Sequence, residues 1–355
     1  LDRSSAASDV YKRQGAAEPG VAGSAATLLD FRSLACDVRR AFLRRLNTDM
    51  NSRVITNALT IDVEDYFQVS AFAPYIRREE WEQRECRVEQ NVDRILGLLD
   101  QHQTKATFFT LGWVAERYPD MVRRIVHEGH ELASHGYGHQ RASDLTEAEL
   151  FEDVHRAKGI LEDIGGQAVL GYRAPSFSIG HGNLWALDTL LRAGYRYSSS
   201  IYPVKHDHYG MPDAPRFAHE VRPGLLEVPP TTLRLFDRNL PSSGGGFFRL
   251  LPYSVSRWML RQVNARDAQS AIFYFHPWEI DADQPRVTGV DARTRFRHYV
   301  NIDRNERKLD RLLGDFRWDR MDKLFVCSGS QGGMASCCLL YTSDAADERS
   351  SVELG

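Results

Sequence analysis

Two carboxylates stand two residues apart in the segment Asp62-Val63-Glu64-Asp65. Strand side chains alternate, so Asp62 and Glu64 would share one face while Val63 turns to the other. Burying two like charges side by side is costly unless a cation or a donor compensates. The pair reads either as a metal ligand beside a general base or as an acidic, solvated strand end. A second group is His135-Gly-Tyr-Gly-His139. An i, i+4 pair puts both imidazoles on one face of a helical turn, a spacing that suits two ligands of one metal. The intervening glycines let the backbone turn tightly. His130, just upstream, reads as a hydrogen-bonded structural histidine.

Two further segments carry single groups of interest. In Gly171-Tyr-Arg173-Ala-Pro175 the arginine is permanently charged and forms bidentate bonds to carboxylates. It could hold a catalytic aspartate ionised, or it could form a surface ion pair. In Phe273-Tyr-Phe-His276-Pro-Trp278 an apolar run ends in a histidine, the natural general acid near neutral pH. The alternative there is a packed histidine bonded to backbone. Trp278 beside it is expected to floor a pocket for a sugar or an acetyl group.

The elements that must position these groups alternate in kind. Apolar, β-branched runs predict strands over 58–63, 105–111, 131–134, 169–172, 195–200, 225–228 and 271–275. Helical spacing predicts helices over 88–101, 146–162 and 183–192, and one carrying Trp113 through Val126. Thr146 is placed to cap its helix. Three consecutive glycines make 242–248 a predicted loop. Alternating strands and helices mean an α/β fold with parallel strands. Asp62, His135, Arg173 and His276 each fall at or just beyond the C-terminal end of a predicted strand. In barrels of parallel strands that rim is where catalytic groups converge.

Taken in order, these segments resemble the motifs of NodB-type polysaccharide deacetylases, carbohydrate esterase family four, over most of residues 57–280. They are most similar to the subgroup encoded with exopolysaccharide and PEP-CTERM loci. The likeness runs through NALTIDVEDYFQVSAF, ATFFTLGWVAERYP, EGHELASHGYGH, GYRAPSFSI, SSSIYP, SSGGGFFRLLPY and FYFHPWEID. The stretch RHYVNIDRNERKLDRLL resembles the subgroup's C-terminal extension. The resemblance implies a distorted (β/α) barrel, a single catalytic domain with a C-terminal helical extension, and a divalent metal, most often zinc. It implies His135 and His139 as metal ligands and Asp62 as catalytic base. Arg173 would orient Asp62, and His276 would be the general acid. Pro175, Trp278 and Phe247 are the expected substrate contacts.

One departure bears on the metal. The commonest form of the first motif has two adjacent aspartates, the second binding metal, whereas Val63 follows Asp62 here. Alternation passes the ligand role to Glu64, with Asp65 as the alternative if the strand has already ended. The implied activity is metal-dependent hydrolysis of N-acetyl groups from amino sugars of an exopolysaccharide, chitin-like or peptidoglycan-like polymer, releasing acetate. The rival readings are hydrolysis of another non-peptide amide and a catalytically inactive carbohydrate-binding protein. The second rival would usually have lost the base or the acid, and both Asp62 and His276 are present. A structural zinc protein would need a closed four-ligand site, typically with cysteines.

Composition narrows the classes further. Net charge is −3 and basic residues are interspersed with acids, which argues against a nucleic-acid partner. No apolar run is long enough to span a bilayer, and the first residues lack the pattern of a secretory signal. Of five cysteines only Cys86 lies between residues 50 and 326, compatible with a reducing compartment. The expected location is cytoplasmic, in association with a membrane-bound polysaccharide synthesis complex. The chain begins at Leu1, and LDRSSAASDVYKRQ and CLLYTSDAADERSSVELG resemble translated sequencing-adaptor sequence. Residues 1–49 and 327–355 are therefore expected to be non-native or disordered, with 28–46 as an alternative amphipathic helix. Met50 is the expected start, followed by a catalytic domain over 50–285 and an extension over 286–326.

Overall fold

The computed structural model describes residues 55–206 and 210–326, so the expectations for 1–49 and 327–355 lie outside the described residues. The strands are β1 (Thr56–Val63), β2 (Thr107–Thr110), β3 (Glu131–Ser134), β4 (Gly171–Tyr172), β5 (Tyr197–Ser198), β6 (His219–Arg222), β7 (Leu225–Glu227), β8 (Thr232–Leu235), β9 (Arg238–Pro241), β10 (Ile272–Phe275) and β11 (Arg317–Asp319). The helices are α1 (Val88–Gln101), α2 (Gly112–Arg117), α3 (Pro119–His127), α4 (Glu147–Gly165), α5 (Trp185–Arg192), α6 (Gly245–Leu250), α7 (Tyr253–Gln262), α8 (Ala292–Tyr299) and α9 (Ile302–Asp315).

β1 is buried along its whole length after Thr56 because both its faces are covered. Leu59, Ile61 and Val63 pack outward with the apolar stripes of the helices, Val92, Ile95 and Leu99 of α1 among them. The sheet runs β10-β1-β2-β3-β4-β5-β7-β6, parallel throughout except for the edge pair β6–β7. β11 lies parallel to the first residues of β1, and β8–β9 form a separate antiparallel hairpin. Among the described residues no regular ladder joins β7 to β10. Single bonds bridge that seam: the Ile272 N–H donates to Thr231 Oγ1 at 2.6 Å and the Tyr274 N–H to the Ser243 carbonyl at 2.6 Å. This irregular seam is the distortion of the barrel.

Ala58, Phe109, Ala133, Tyr197, Ile272 and Met321 form a second apolar cluster. Buried polar groups, including Thr60, Arg173, Ser198, Ser199, Ser200 and Glu227, also fill the interior.

Two local expectations are corrected. The helix expected across Trp113–Val126 is two, α2 and α3, broken at Tyr118 (φ −125°, ψ 57°) because Pro119 disfavours a helical residue before it and starts the next helix. The predicted loop over 242–248 is in part a helix, since α6 begins at Gly245. Gly244 (φ 123°) and Gly245 (φ 55°) press their backbone onto Tyr274 of β10, where a side chain would collide. The glycine run serves close packing and a helix start rather than an open loop. Thr146 does cap α4, accepting from the Glu149 N–H while Glu149 reaches back to the Thr146 N–H at 2.8 Å.

Gly244→Ala should lower stability by about 2–3 kcal/mol, the cost of a strained φ plus displacement of the Tyr274 carbonyl, as read from the urea midpoint. A second expectation concerns Glu227, whose Oε1 accepts from the Ser200 and Ile201 N–H groups at 2.8 and 2.9 Å. Burial raises its pKa from 4.5 to about 7, against those opposing bonds. A carboxyl raised on folding stabilises below its unfolded pKa, and that contribution is lost as pH rises through about 7. The urea midpoint should therefore fall across this window, and Glu227→Gln should flatten the profile by up to on the order of 3 kcal/mol.

Candidate metal and catalytic site

Glu64, just beyond β1, meets His135 and His139, just beyond β3, with one potential ligand atom from each residue lying within 4.8 Å of the others. The two histidines sit on a loop, not on the helical turn expected from their spacing. Gly136 (φ 76°) and His139 (φ 54°) reverse the chain in left-handed conformations that a helix would not allow. The loop is held from outside. The first N–H groups of α2 donate to the Gly136 and Tyr137 carbonyls at 2.9 and 3.0 Å. Asp153 of α4 accepts from the Tyr137 N–H at 2.9 Å, and Arg78 donates to the Gly138 carbonyl at 2.8 Å.

The donor set fits a divalent cation. Two imidazoles and one carboxylate suit zinc and leave further coordination positions for water or substrate. The His135 Nδ1–H donates to the Arg173 carbonyl at 2.8 Å, which leaves Nε2 as the ligand atom. Burial lowers the His135 pKa to about 4, so the ring is neutral, as a ligand must be. Glu64 Oε2 lies 2.6 Å from His139 Nε2 yet is buried without a hydrogen bond of good geometry. Burial alone would raise the Glu64 pKa, but the charges of His139 and His276 override it and hold the carboxyl below the usual range. Asp65, the alternative ligand, is committed elsewhere. It accepts from the Tyr66, Arg87 and Val88 N–H groups at 2.8, 2.6 and 2.9 Å and ties the end of β1 to α1.

Asp62 is buried beside this cluster and accepts from Arg173 Nη1 at 2.6 Å. Arg173 is itself fully buried and its other donors are occupied. Nη1 also reaches Thr60 Oγ1 at 2.8 Å, Nη2 reaches Ser199 Oγ at 2.9 Å, and Nε reaches the Ser199 carbonyl at 3.3 Å. The guanidinium stacks 4.1 Å over Phe109. Its aim at Asp62 is thereby fixed.

His276, directly after β10, is the most open member of the group, its side chain 18% exposed. Its Nε2 lies 3.6 Å from Glu64 Oε1 and 3.9 Å from Asp62 Oδ2. Burial would lower its pKa, but Glu64, Glu279 and Asp62 raise it to about 9. Trp278 does not floor an open pocket. It is 4% exposed, stacked between His276 (5.2 Å, 17°) and His298 (4.2 Å, 13°), and its indole N–H donates to Glu64 Oε1 at 3.2 Å. Pro175 is buried as the first residue of a short turn after Arg173, and Phe247 lines a cleft with Pro241, Leu251, Met259 and Phe273. Neither forms part of the ligand cluster.

The sequence reading missed Ser199, Glu279, Arg249 and His298. Glu279 is the nearest to legible: it stands three residues after His276, and an acid at that spacing can return to cap the preceding backbone. Arg249 and His298 are brought in by tertiary packing and carry no local signal.

These contacts divide the acidic groups by role. Glu64→Ala and His139→Ala should each abolish stoichiometric uptake of Zn²⁺ or Co²⁺ in equilibrium dialysis. Asp65→Asn should retain the metal while lowering the melting temperature. Retention by Glu64→Ala with loss by Asp65→Asn would reverse the assignment.

Residues 82–198 match the polysaccharide deacetylase family, and residues 199–326 match a domain of unknown function (DUF3473). Among curated relatives, a peptidoglycan-N-acetylglucosamine deacetylase of Bacillus cereus is 38% identical over 27% of this chain and 35% of its own length. A chitooligosaccharide deacetylase of a Bradyrhizobium species is 28% identical over 37% of this chain and 60% of its own length. The matches thus span about a third to three-fifths of these relatives. A Mycobacterium smegmatis crystal structure, described as a candidate polysaccharide deacetylase, shares the fold: TM-score 0.50, 20% identity, covering 79% of this chain and 91% of that one. The two matched segments share one sheet, because β5, at the end of the first, pairs with β7 of the second. Residues 82–198, which carry His135, His139 and Arg173, are thus similar to the polysaccharide deacetylase family, while Asp62, Glu64 and His276 lie outside that match.

Proposed function

We propose that the chain is a divalent-metal-dependent N-deacetylase acting on acetylated amino sugars of a polysaccharide, with zinc as the metal. One observation carries this reading: a carboxylate fixed by a buried arginine and an imidazole fixed by a buried carboxylate face each other beside two histidines and a glutamate. The named activities of the curated relatives, on peptidoglycan and chitooligosaccharide, support an N-acetyl sugar polymer as substrate.

Glu64, His135 and His139 would hold the cation. When bound, it supplies Lewis-acid polarisation of the acetyl carbonyl and of water. Asp62, kept in place by Arg173, accepts the proton of the attacking water as the new C–O bond forms. The C–N bond then breaks with its electron pair moving to nitrogen, and His276 gives that nitrogen the proton on Nε2. Acetate and a free amino sugar leave. Without that proton the amine is a poor leaving group, so an amide requires an acid where an activated ester does not. Within this proposal, the likeness to the exopolysaccharide-locus subgroup favours an exopolysaccharide and a cytoplasmic position beside its synthesis complex.

The test is acetate release by the zinc-loaded full chain from N-acetylglucosamine oligomers. Asp62→Asn and His276→Ala should each reduce kcat by about 10²–10⁴ with metal content unchanged. Stoichiometric metal with no acetate from any N-acetylated glycan would move the substrate to another amide. Failure to bind metal would remove the hydrolase reading.

A further inference from the structure

The imidazole of His276 is held by a chain of contacts that starts well outside the strand carrying it. Glu279 Oε2 accepts both from the His276 backbone N–H at 3.0 Å and from its Nδ1–H at 3.1 Å. The other oxygen, Oε1, accepts from Arg249 Nε at 2.7 Å. Arg249, on α6, is 3% exposed, and its remaining donors close the last turn of α8. They reach the carbonyls of Arg297 at 3.0 Å and Val300 at 3.2 Å, and that of His298. Asn305 of α9 donates to the Glu279 carbonyl at 3.1 Å, and Asn301 to the Arg249 carbonyl at 3.0 Å. From the same turn His298 stacks on Trp278, whose other face lies against His276.

A histidine at a strand end can rotate about both side-chain torsions. The Glu279 bond fixes the ring, because Nδ1–H must donate to that carboxylate and Nε2, with the proton it would give up, must then point toward Asp62 and Glu64. An isolated buried carboxylate would be costly, and the buried Arg249 compensates it. Arg249 in turn is placed by helix-end carbonyls, which favour a cation.

We infer that Glu279 and Arg249 are positioning residues for His276, and that the α8–α9 turn completes the catalytic site by anchoring Arg249. This assigns a task to part of the segment matched only as a domain of unknown function. The inference rests on the proposed role of His276 as the proton donor to the leaving nitrogen.

The test compares two acetyl substrates on the metal-loaded full chain: N-acetylglucosamine oligomers, whose amine must be protonated to leave, and 4-nitrophenyl acetate, whose phenolate leaves unaided. Glu279→Ala and Arg249→Met should lower kcat on the amide by about 10²-fold, leaving KM and ester turnover within about threefold. Arg249→Lys, which keeps the charge but loses the planar fork, should fall between. Parallel losses on both substrates, or no loss on either, would overturn the inference. The ¹⁵N and ¹H shifts of His276 give a readout independent of turnover: a protonated Nδ1 hydrogen-bonded to a carboxylate in the wild type, with that Nδ1–H signal lost in Glu279→Ala. If the wild type releases no acetate but shows this signal and its loss, the positioning chain stands and the deacetylase reading fails. A wild-type ring without a protonated, hydrogen-bonded Nδ1 removes the positioning chain whatever the activity.

Discussion

Two carboxylates at the end of one buried strand are the constraint around which this fold is arranged. Asp62 and Glu64 lie on the inner face of β1, each almost wholly out of water. Left alone, they would repel each other and take up protons. Each is instead met by its own partners from different parts of the chain. Arg173, after β4, takes Asp62, while the imidazoles of His139 and His276 approach Glu64. The parallel sheet makes this possible. β1 lies between β10 and β2, and β3 and β4 follow, so the strands delivering His276, His135 and Arg173 end on the same rim as Asp62 and Glu64.

The cost of that arrangement is spread through the barrel interior. Arg173 cannot be buried without acceptors, and Thr60, Ser199 and the Ser199 carbonyl supply them. Ser200 and Ile201 are in turn tied by their N–H groups to Glu227. The interior of the barrel is therefore partly polar. A wholly apolar core would be at least as stable. It could not orient a charged guanidinium at a single carboxylate oxygen.

Much of this was legible in the sequence, and the limits of legibility are physical. β3 and α1 fall on their predicted boundaries because the hydrophobic period and its interruptions are local. The rim positions of Asp62, His135, Arg173 and His276 follow from strand ends, which are also local. The geometry of the histidine loop was not, since a spacing of four is shared by a helical turn and by a glycine-assisted reversal. Gly244 and Gly245 looked like a loop for a similar reason, because their function is an approach to Tyr274, about thirty residues away in sequence. Trp278 looked like a ligand surface because an aromatic beside a catalytic candidate carries no sign of which side is already covered. His298, which covers it, lies twenty residues further on. The seam between β7 and β10 had no signature either, being made of single bonds rather than a strand.

The proposed base and acid are held from different sides of the barrel, and this separation bears on the proposed mechanism. Asp62 is fixed from the barrel interior by Arg173, whereas His276 is fixed from the outer side by Glu279, Arg249 and the turn between α8 and α9. Arg173 directs its donors to Asp62, Thr60 and Ser199, and Arg249 directs its own to Glu279 and the turn between α8 and α9, so each group is aimed from its own side. The proposed reaction calls for two directions of approach, because the base would take a proton from water at one side of the acetyl carbon while the acid would reach the nitrogen bonded to it. The two networks meet at the rim, where the charge of Asp62 favours a proton on His276, 3.9 Å away, so that the proposed acid would hold its proton beside the proposed base.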